Sequence, residues 1–106
     1  MIENKIIEKK HRWTYEEEKT CCTIFIKNYI QNNNLKHIDA TVLEISNIHP
    51  NLKQSSIKMK LQNIAQICKE YNIPNSFIGK SLEHYSPQNL KAMHDAWKEY
   101  KKLYND

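Results

Sequence analysis

The side chains with the clearest potential for chemistry lie in the stretch 54–71. Its polar positions carry amide, hydroxyl and ammonium groups, and no acidic residue occurs between Glu44 and Glu70. Lysine binds phosphate oxygens, while glutamine and asparagine present paired donors and acceptors to base edges in a major groove. The pattern therefore predicts a nucleic-acid-binding face made of Lys53, Ser55, Ser56, Lys58, Met59, Lys60, Gln62, Asn63, Gln66 and Lys69.

A regular apolar stripe indicates that this stretch is a helix, and we treat 56–71 as the candidate recognition helix. Ser55 or Ser56 is expected to cap its start. Most polar positions should then face outward, with Met59 and Lys60 on the flanks. Solvated helix faces are often rich in lysine and glutamine, so the charge pattern alone does not decide the function. The residues at helical spacing are Ile57, Leu61, Ile64, Ala65, Cys68 and Tyr71.

Other kinds of site find little support in the sequence. The five histidines show no metal-binding spacing and no motif pairing with a carboxylate, so we expect no catalytic residue, metal or cofactor. The three cysteines are odd in number, and Cys21 and Cys22 are adjacent, which predicts reduced thiols in the core. The histidines are His11, His37, His49, His84 and His94.

Composition favours one small helical domain. The chain has 106 residues with a single glycine and three prolines, too few for a sandwich, a barrel or a glycine-rich phosphate loop. A net charge of +4 gives a mild preference for anionic partners. Neither a signal peptide nor a membrane-spanning apolar run is visible, so we expect a cytoplasmic protein with no membrane partner.

Local signals place the first helices. Residues 1–12 are predicted to form a flexible basic arm, and 13–106 a single helical domain. Thr14 and Glu17 have the spacing of a capping box, which should open a helix over 15–31. A second helix over 40–48 should be capped by Asp39. Its expected buried residues, with two that precede it, are Val42, Leu43, Ile45, Leu35 and Ile38.

The second half of the chain completes the predicted fold. Pro50 ends the second helix, and the short turn into 56–71 gives the layout of a helix-turn-helix unit. Ser86 and Pro87 should open a long last helix. We therefore predict an all-α fold, a small orthogonal bundle of four to five helices. Phe77, Ile78 and Leu82 of the segment 72–85 should tuck under it, and the shared core should include Trp13, Phe25, Leu61, Ile64 and Trp97.

Two runs of the sequence resemble a known family. Myb and SANT-like domains open with a Trp-Thr pair followed by acids, and the run 12–18, Arg-Trp-Thr-Tyr-Glu-Glu-Glu, resembles that opening. Together with the run 56–63, Ser-Ile-Lys-Met-Lys-Leu-Gln-Asn, and the later Leu82 and Trp97, it resembles the N-terminal helical domain of bacterial HNH restriction-type endonucleases. Ile64 stands where that family usually has Phe. The resemblance implies DNA recognition, and because the sequence ends at Asp106 we expect the recognition domain without the nuclease domain.

Two functions follow as hypotheses. The first is a small DNA-binding protein or recognition domain that places the helix 56–71 in the major groove of double-stranded DNA. The alternative is a phage or mobile-element module that uses the same scaffold to bind or inhibit a protein partner, such as a nuclease or another defence component. The sequence leaves homodimer formation open. A steep salt dependence of nucleic-acid affinity would favour the first.

Overall fold

A computed structural model describes residues 12–33 and 35–104, and every regular element in that part of the chain is helical. The all-α bundle predicted from the sequence is confirmed, with four α-helices. The predicted basic arm lies outside the described residues, apart from Arg12. None of the helices within these ranges is both long and apolar enough to cross a membrane. The helices are α1 (Tyr15–Ile26), α2 (Ile38–Ile48), α3 (Gln54–Glu70) and α4 (Pro87–Tyr104).

The first helical run covers 15–31 as predicted, but its last turn is not α-helical. The Thr14 hydroxyl accepts a hydrogen bond from the Glu17 N–H at 3.1 Å, and the Glu17 carboxylate accepts one from the Thr14 N–H at 3.0 Å, so the capping box is confirmed. After Ile26 the backbone widens into a π-helical turn, Lys27–Gln31. A π turn holds one more residue than an α turn. It buries the neighbours Asn28 and Tyr29 together.

These two buried polar residues join α1 to α2. The Asn28 side-chain amide donates to the Thr41 hydroxyl at 3.1 Å, and the Tyr29 hydroxyl lies 2.7 Å from the same oxygen. Because all three side chains are buried, each polar atom in the set needs a partner inside the protein. These bonds therefore tie the π turn to α2.

The second helix and the residue Leu35 before it correct four expectations. It begins at Ile38, two residues early, because the His37 Nδ1 atom accepts the Asp39 N–H at 3.1 Å, so the predicted Asp39 cap is wrong. Leu43 is 54% exposed and Leu35 is exposed as well, so their predicted burial is also wrong. Val42 and Ile45 do lie in the core.

The third helix matches the candidate recognition helix, with a different start. Neither Ser55 nor Ser56 caps it, because both lie inside the helix and the N-cap residue, Lys53, makes no side-chain capping bond. Most of the predicted stripe is buried, but Tyr71 is exposed. The buried apolar residues of α3 are Ile57, Leu61, Ile64, Ile67 and Cys68, of which Ile67 was not predicted.

The last helix closes the core, and α1 packs more extensively against it than against any other helix. It begins at Pro87, and the Ser86 hydroxyl accepts the Asn89 N–H at 3.0 Å, as the sequence predicts. Trp13 and Trp97 are partly buried against the core, whose fully buried members include Phe25, Leu61 and Ile64.

The segment 72–85 has no regular structure, but it is anchored. The Phe77 ring packs on Phe25 and Tyr29, with ring centroids 5.4 and 5.1 Å away. Ile78 is exposed, so its predicted burial is wrong. The segment then crosses α3 and covers part of the polar side on which the candidate site was predicted.

Candidate nucleic-acid interface

Most of the polar side chains in the first two turns of α3 lie at the surface, and we call this surface the α3 entry face. Its exposed members include the predicted Lys53, Ser55, Lys58 and Met59. Gln54 is also exposed and belongs to this face, although its amide was not among the predicted site residues. Ser56 is only partly exposed. The entry face carries no carboxylate, in agreement with the acid-free sequence window.

The backbone at the start of α3 adds partial positive charge. No acidic residue occupies the first turn, and the side chain of its N-cap residue, Lys53, makes no capping hydrogen bond. The first N–H groups of an α-helix have no acceptor within the helix and form the positive end of its dipole. Such helix ends favour anions, including phosphate. The backbone of 54–56 and the Lys58 ammonium therefore point to the same kind of ligand.

Lys60 does not belong to this surface, so its predicted placement on an exposed flank is wrong. Its Nζ atom lies 2.5 Å from the Glu18 carboxylate, and the two side chains are only 9% and 1% exposed. The ammonium also lies 4.6 Å from the centroid of the Trp13 ring, a cation–π distance. Gln88 completes the cluster, because its side-chain amide donates to Glu18 at 2.8 Å and to the Trp13 carbonyl at 2.9 Å.

This buried cluster connects the two runs on which the family resemblance rests. Trp13 and Glu18 come from the run 12–18, and Lys60 comes from the run 56–63. A buried charge is stable only when it is paired and hydrogen-bonded. The residue types in these runs therefore have a structural reason that is independent of DNA.

The second half of α3 is partly covered by the segment 72–85. The Leu82 N–H donates to the Gln62 carbonyl at 3.0 Å, and the Tyr85 hydroxyl donates to the Glu70 carboxylate at 2.5 Å. Gln66 is buried and donates its amide to Glu70 at 2.7 Å, so its predicted outward placement is wrong. The Tyr85 bond, followed by that of Gln66, lowers the pKa of Glu70.

Three other predicted residues are either only partly exposed or lie away from the α3 entry face. Gln62 is partly exposed, so its side chain remains within reach of a ligand on the entry face. Asn63 is also partly exposed, but its side-chain oxygen is buried and has no hydrogen-bond partner in the described chain. Lys69 is exposed at the far end of α3. The structure thus groups five of the ten predicted residues, Lys53, Ser55, Ser56, Lys58 and Met59, with Gln62 at their edge.

The chain matches no family model, no curated protein and no solved structure. The only indications of what the candidate site binds therefore come from its own side chains and backbone.

The thiols offer no reactive site. Cys21, Cys22 and Cys68 are free and fully buried, as the sequence predicts. Burial raises the pKa of Cys21 and of Cys68 to about 12, and it raises that of Cys22 as well. A protonated, inaccessible thiol is a poor nucleophile and a poor metal ligand. Within 12–33 and 35–104, no three His, Cys, Asp or Glu side chains come together as metal ligands would.

An apolar groove of about 450 Å³ opens between the end of α3 and the first half of α4. It was not predicted, because its walls come from parts of the chain that are distant in sequence. Among the residues that line it, only Lys91 and His94 carry titratable groups apart from the phenol of Tyr71. The remaining lining residues are Ile67, Ile73, Pro87, Leu90, Met93 and Trp97.

Proposed function

We propose that this protein binds double-stranded DNA through the α3 entry face, with the first two turns of α3 in the major groove. The observation that carries the proposal is an exposed helix start that bears lysine, amide and hydroxyl groups but no carboxylate. DNA presents phosphates on both sides of a groove lined with base-edge donors and acceptors, so this combination of groups suits it.

The position of the face along α3 supports the same reading. Recognition helices place their N-terminal residues against base edges, and the exposed polar residues of α3 are concentrated in its N-terminal part, where none of them is a carboxylate. The C-terminal part is covered near Gln62 and Glu70 by the segment 72–85. The proposed contact is therefore shorter than the face predicted from the sequence, and it excludes Lys60 and Gln66.

The decisive experiment is a titration of labelled duplex DNA with the full chain at two salt concentrations, with a matched RNA duplex as competitor. DNA binding should weaken with salt, because lysines that neutralise phosphates release counterions. The RNA duplex should compete poorly, since the narrow major groove of A-form RNA excludes a helix. Equal competition by RNA, or affinity that does not change with salt, would contradict groove binding by α3.

Lys58→Ala should weaken binding to every DNA sequence and reduce the slope of log affinity against log salt by about 0.9. The reason is the loss of one phosphate contact from an exposed ammonium on the entry face. Fluorescence anisotropy at four salt concentrations would measure the slope. Lys102→Ala, which removes an exposed ammonium from α4, is the matched control and should leave the slope unchanged.

Gln62→Ala should reduce discrimination between preferred and unrelated DNA sites by about 1 to 3 kcal/mol and leave nonspecific affinity nearly unchanged, as expected for an amide that contacts a base. Asn63→Ala is the comparison. Its buried oxygen has no partner, so the substitution breaks no hydrogen bond in the described chain and should not lower the melting temperature. Site selection from a random DNA pool, with thermal melts of both variants, would measure these effects.

If Lys58→Ala and Gln62→Ala both leave DNA binding unchanged, α3 is not the reading element. The protein-interaction hypothesis would then take its place. That hypothesis has structural support of its own in the apolar groove beside α4.

A further inference from the structure

The connection 49–53, which we call the α2–α3 turn, is held against α1 by two side-chain hydrogen bonds. The Asn51 amide donates to the Glu17 carboxylate at 3.0 Å. The His49 Nε2 atom lies 3.0 Å from the Thr20 hydroxyl oxygen. Both contacts join the turn to the first two turns of α1, immediately before α3 begins.

Glu17 is a rigid anchor because each of its two carboxylate oxygens is engaged. One oxygen accepts the Thr14 N–H in the capping box, and the other accepts the Asn51 amide. The residue is only 7% exposed, and a hydrogen bond to a charged acceptor is stronger than one between neutral groups. The side chain that helps to begin α1 therefore also holds the turn that leads into α3.

The second bond has a defined direction. The Thr20 hydroxyl donates its single hydrogen to the Glu16 carbonyl at 3.0 Å, so it can only accept from His49. The imidazole of His49 therefore carries a hydrogen on Nε2. The carbonyl of the same residue accepts the Leu52 N–H at 3.1 Å and closes the turn.

The α3 entry face lies between two contacts with α1. Asn51 precedes the face and Lys60 follows it, and these two residues are held by the neighbouring carboxylates of Glu17 and Glu18. The N-cap residue, Lys53, makes no side-chain capping bond. The orientation of the entry face relative to α1 is therefore set from both sides by acidic residues of α1.

Orientation matters more for base contacts than for phosphate contacts. Hydrogen bonds to base edges need donor–acceptor distances of about 2.7 to 3.2 Å and a nearly linear geometry, and they are the contacts that distinguish sequences. A lysine on a flexible four-carbon side chain reaches a phosphate from a wider range of helix positions. A movement of the turn relative to α1 would therefore reduce sequence preference before it reduced general affinity.

We propose that Asn51 and His49 are positioning residues for DNA recognition, which hold the α2–α3 turn to α1 and so set the orientation in which the α3 entry face meets the base edges. The inference rests on the proposed function, because it takes DNA as the ligand of that face. Both residues act through the position of α3, and neither needs to contact DNA itself.

The main test exchanges the donor and the acceptor of the Asn51 bond in the full chain. Asn51→Asp sets two carboxylates against each other and should lower the ratio of affinities for a preferred and an unrelated DNA duplex about tenfold. Glu17→Gln/Asn51→Asp should recover most of that ratio. The glutamine amide then donates to the aspartate, its oxygen still accepts the Thr14 N–H, and the net charge of the pair equals that of the unchanged chain.

Fluorescence anisotropy with both duplexes at one salt concentration measures the ratio. The preferred duplex is the one that the unchanged chain selects from a random pool. The ratio separates positioning from a loss of stability, because a partly unfolded sample lowers both affinities by the same factor. Circular dichroism at the assay temperature shows which variants are folded.

Two matched comparisons complete the design. Asn47→Asp adds the same charge at an exposed position of α2, and it should leave the ratio unchanged. His49→Gln keeps a donor for the Thr20 hydroxyl, whereas His49→Leu removes it, so only the leucine variant should lose preference. The His49 pair also decides the proposal if Asn51→Asp does not fold.

The possible failures are distinguishable. An unchanged ratio in Asn51→Asp, an equal loss in Asn47→Asp, or a loss that persists in the double variant would overturn the positioning role while DNA binding by the unchanged chain stands. If the unchanged chain binds no DNA, or binds both duplexes equally, base reading by α3 is wrong, and the positioning role is overturned with it.

Discussion

Lys60→Met should lower the free energy of unfolding by about 3 to 5 kcal/mol, the usual cost of removing one partner from a buried ion pair. The Glu18 side chain is 1% exposed, and the substitution would remove the ammonium that neutralises its carboxylate. Among the described side chains, Gln88 would remain as its hydrogen-bond donor. The cation–π contact with Trp13 would be lost as well. Urea denaturation at neutral pH would measure the change.

A matched control and a double variant separate the pair from the helix that carries it. Lys58→Met makes the same chemical change on an exposed position of α3, and it should alter stability by less than about 0.5 kcal/mol. Glu18→Gln/Lys60→Met removes both charges and should recover most of the loss, because the cost comes from the unpaired carboxylate. Similar losses for Lys58→Met and Lys60→Met would contradict the buried pair.

Lys60 shows why part of the site could not be predicted. Its spacing from Ile57 and Ile64 places it at the edge of the apolar stripe, where a lysine is normally expected to extend into solvent. Its burial depends on Glu18, which is 42 residues away in sequence. A single sequence does not reveal such a long-range pair.

The covering of the second half of α3 could not be predicted for a similar reason. Helical periodicity correctly predicts most of the buried apolar residues of α3, but it says nothing about what packs on the polar side. Leu82 and Tyr85 reach α3 from a segment without regular structure, and the Glu70 carboxylate that accepts from Tyr85 also accepts from the amide of the buried Gln66. Local signals such as the capping box and the Ser86-Pro87 start were reliable because they depend only on residues within one turn.

The π turn after α1 marks another limit of periodicity. A helical pattern does not predict that Lys27–Gln31 forms a π turn, which is closed by a 3.0 Å bond from the Asn32 N–H to the Lys27 carbonyl. Nor does it predict that the polar side chain of Asn28 is buried beside Tyr29. The cost of burying these two polar side chains is offset by Thr41, which belongs to another helix and bonds both of them.

Leu61→Ala should lower the free energy of unfolding by about 2 to 5 kcal/mol, because Leu61 is fully buried in α3 and its removal leaves a cavity in the core. The same substitution at Leu43 should cost less than about 0.5 kcal/mol, since that side chain is 54% exposed on α2. The sequence pattern predicts burial for both leucines, whereas the structure buries only Leu61. The two substitutions therefore distinguish the structure from the sequence-based prediction. Urea denaturation monitored by circular dichroism would measure both, and comparable losses at the two positions would mean that α2 packs with Leu43 inward.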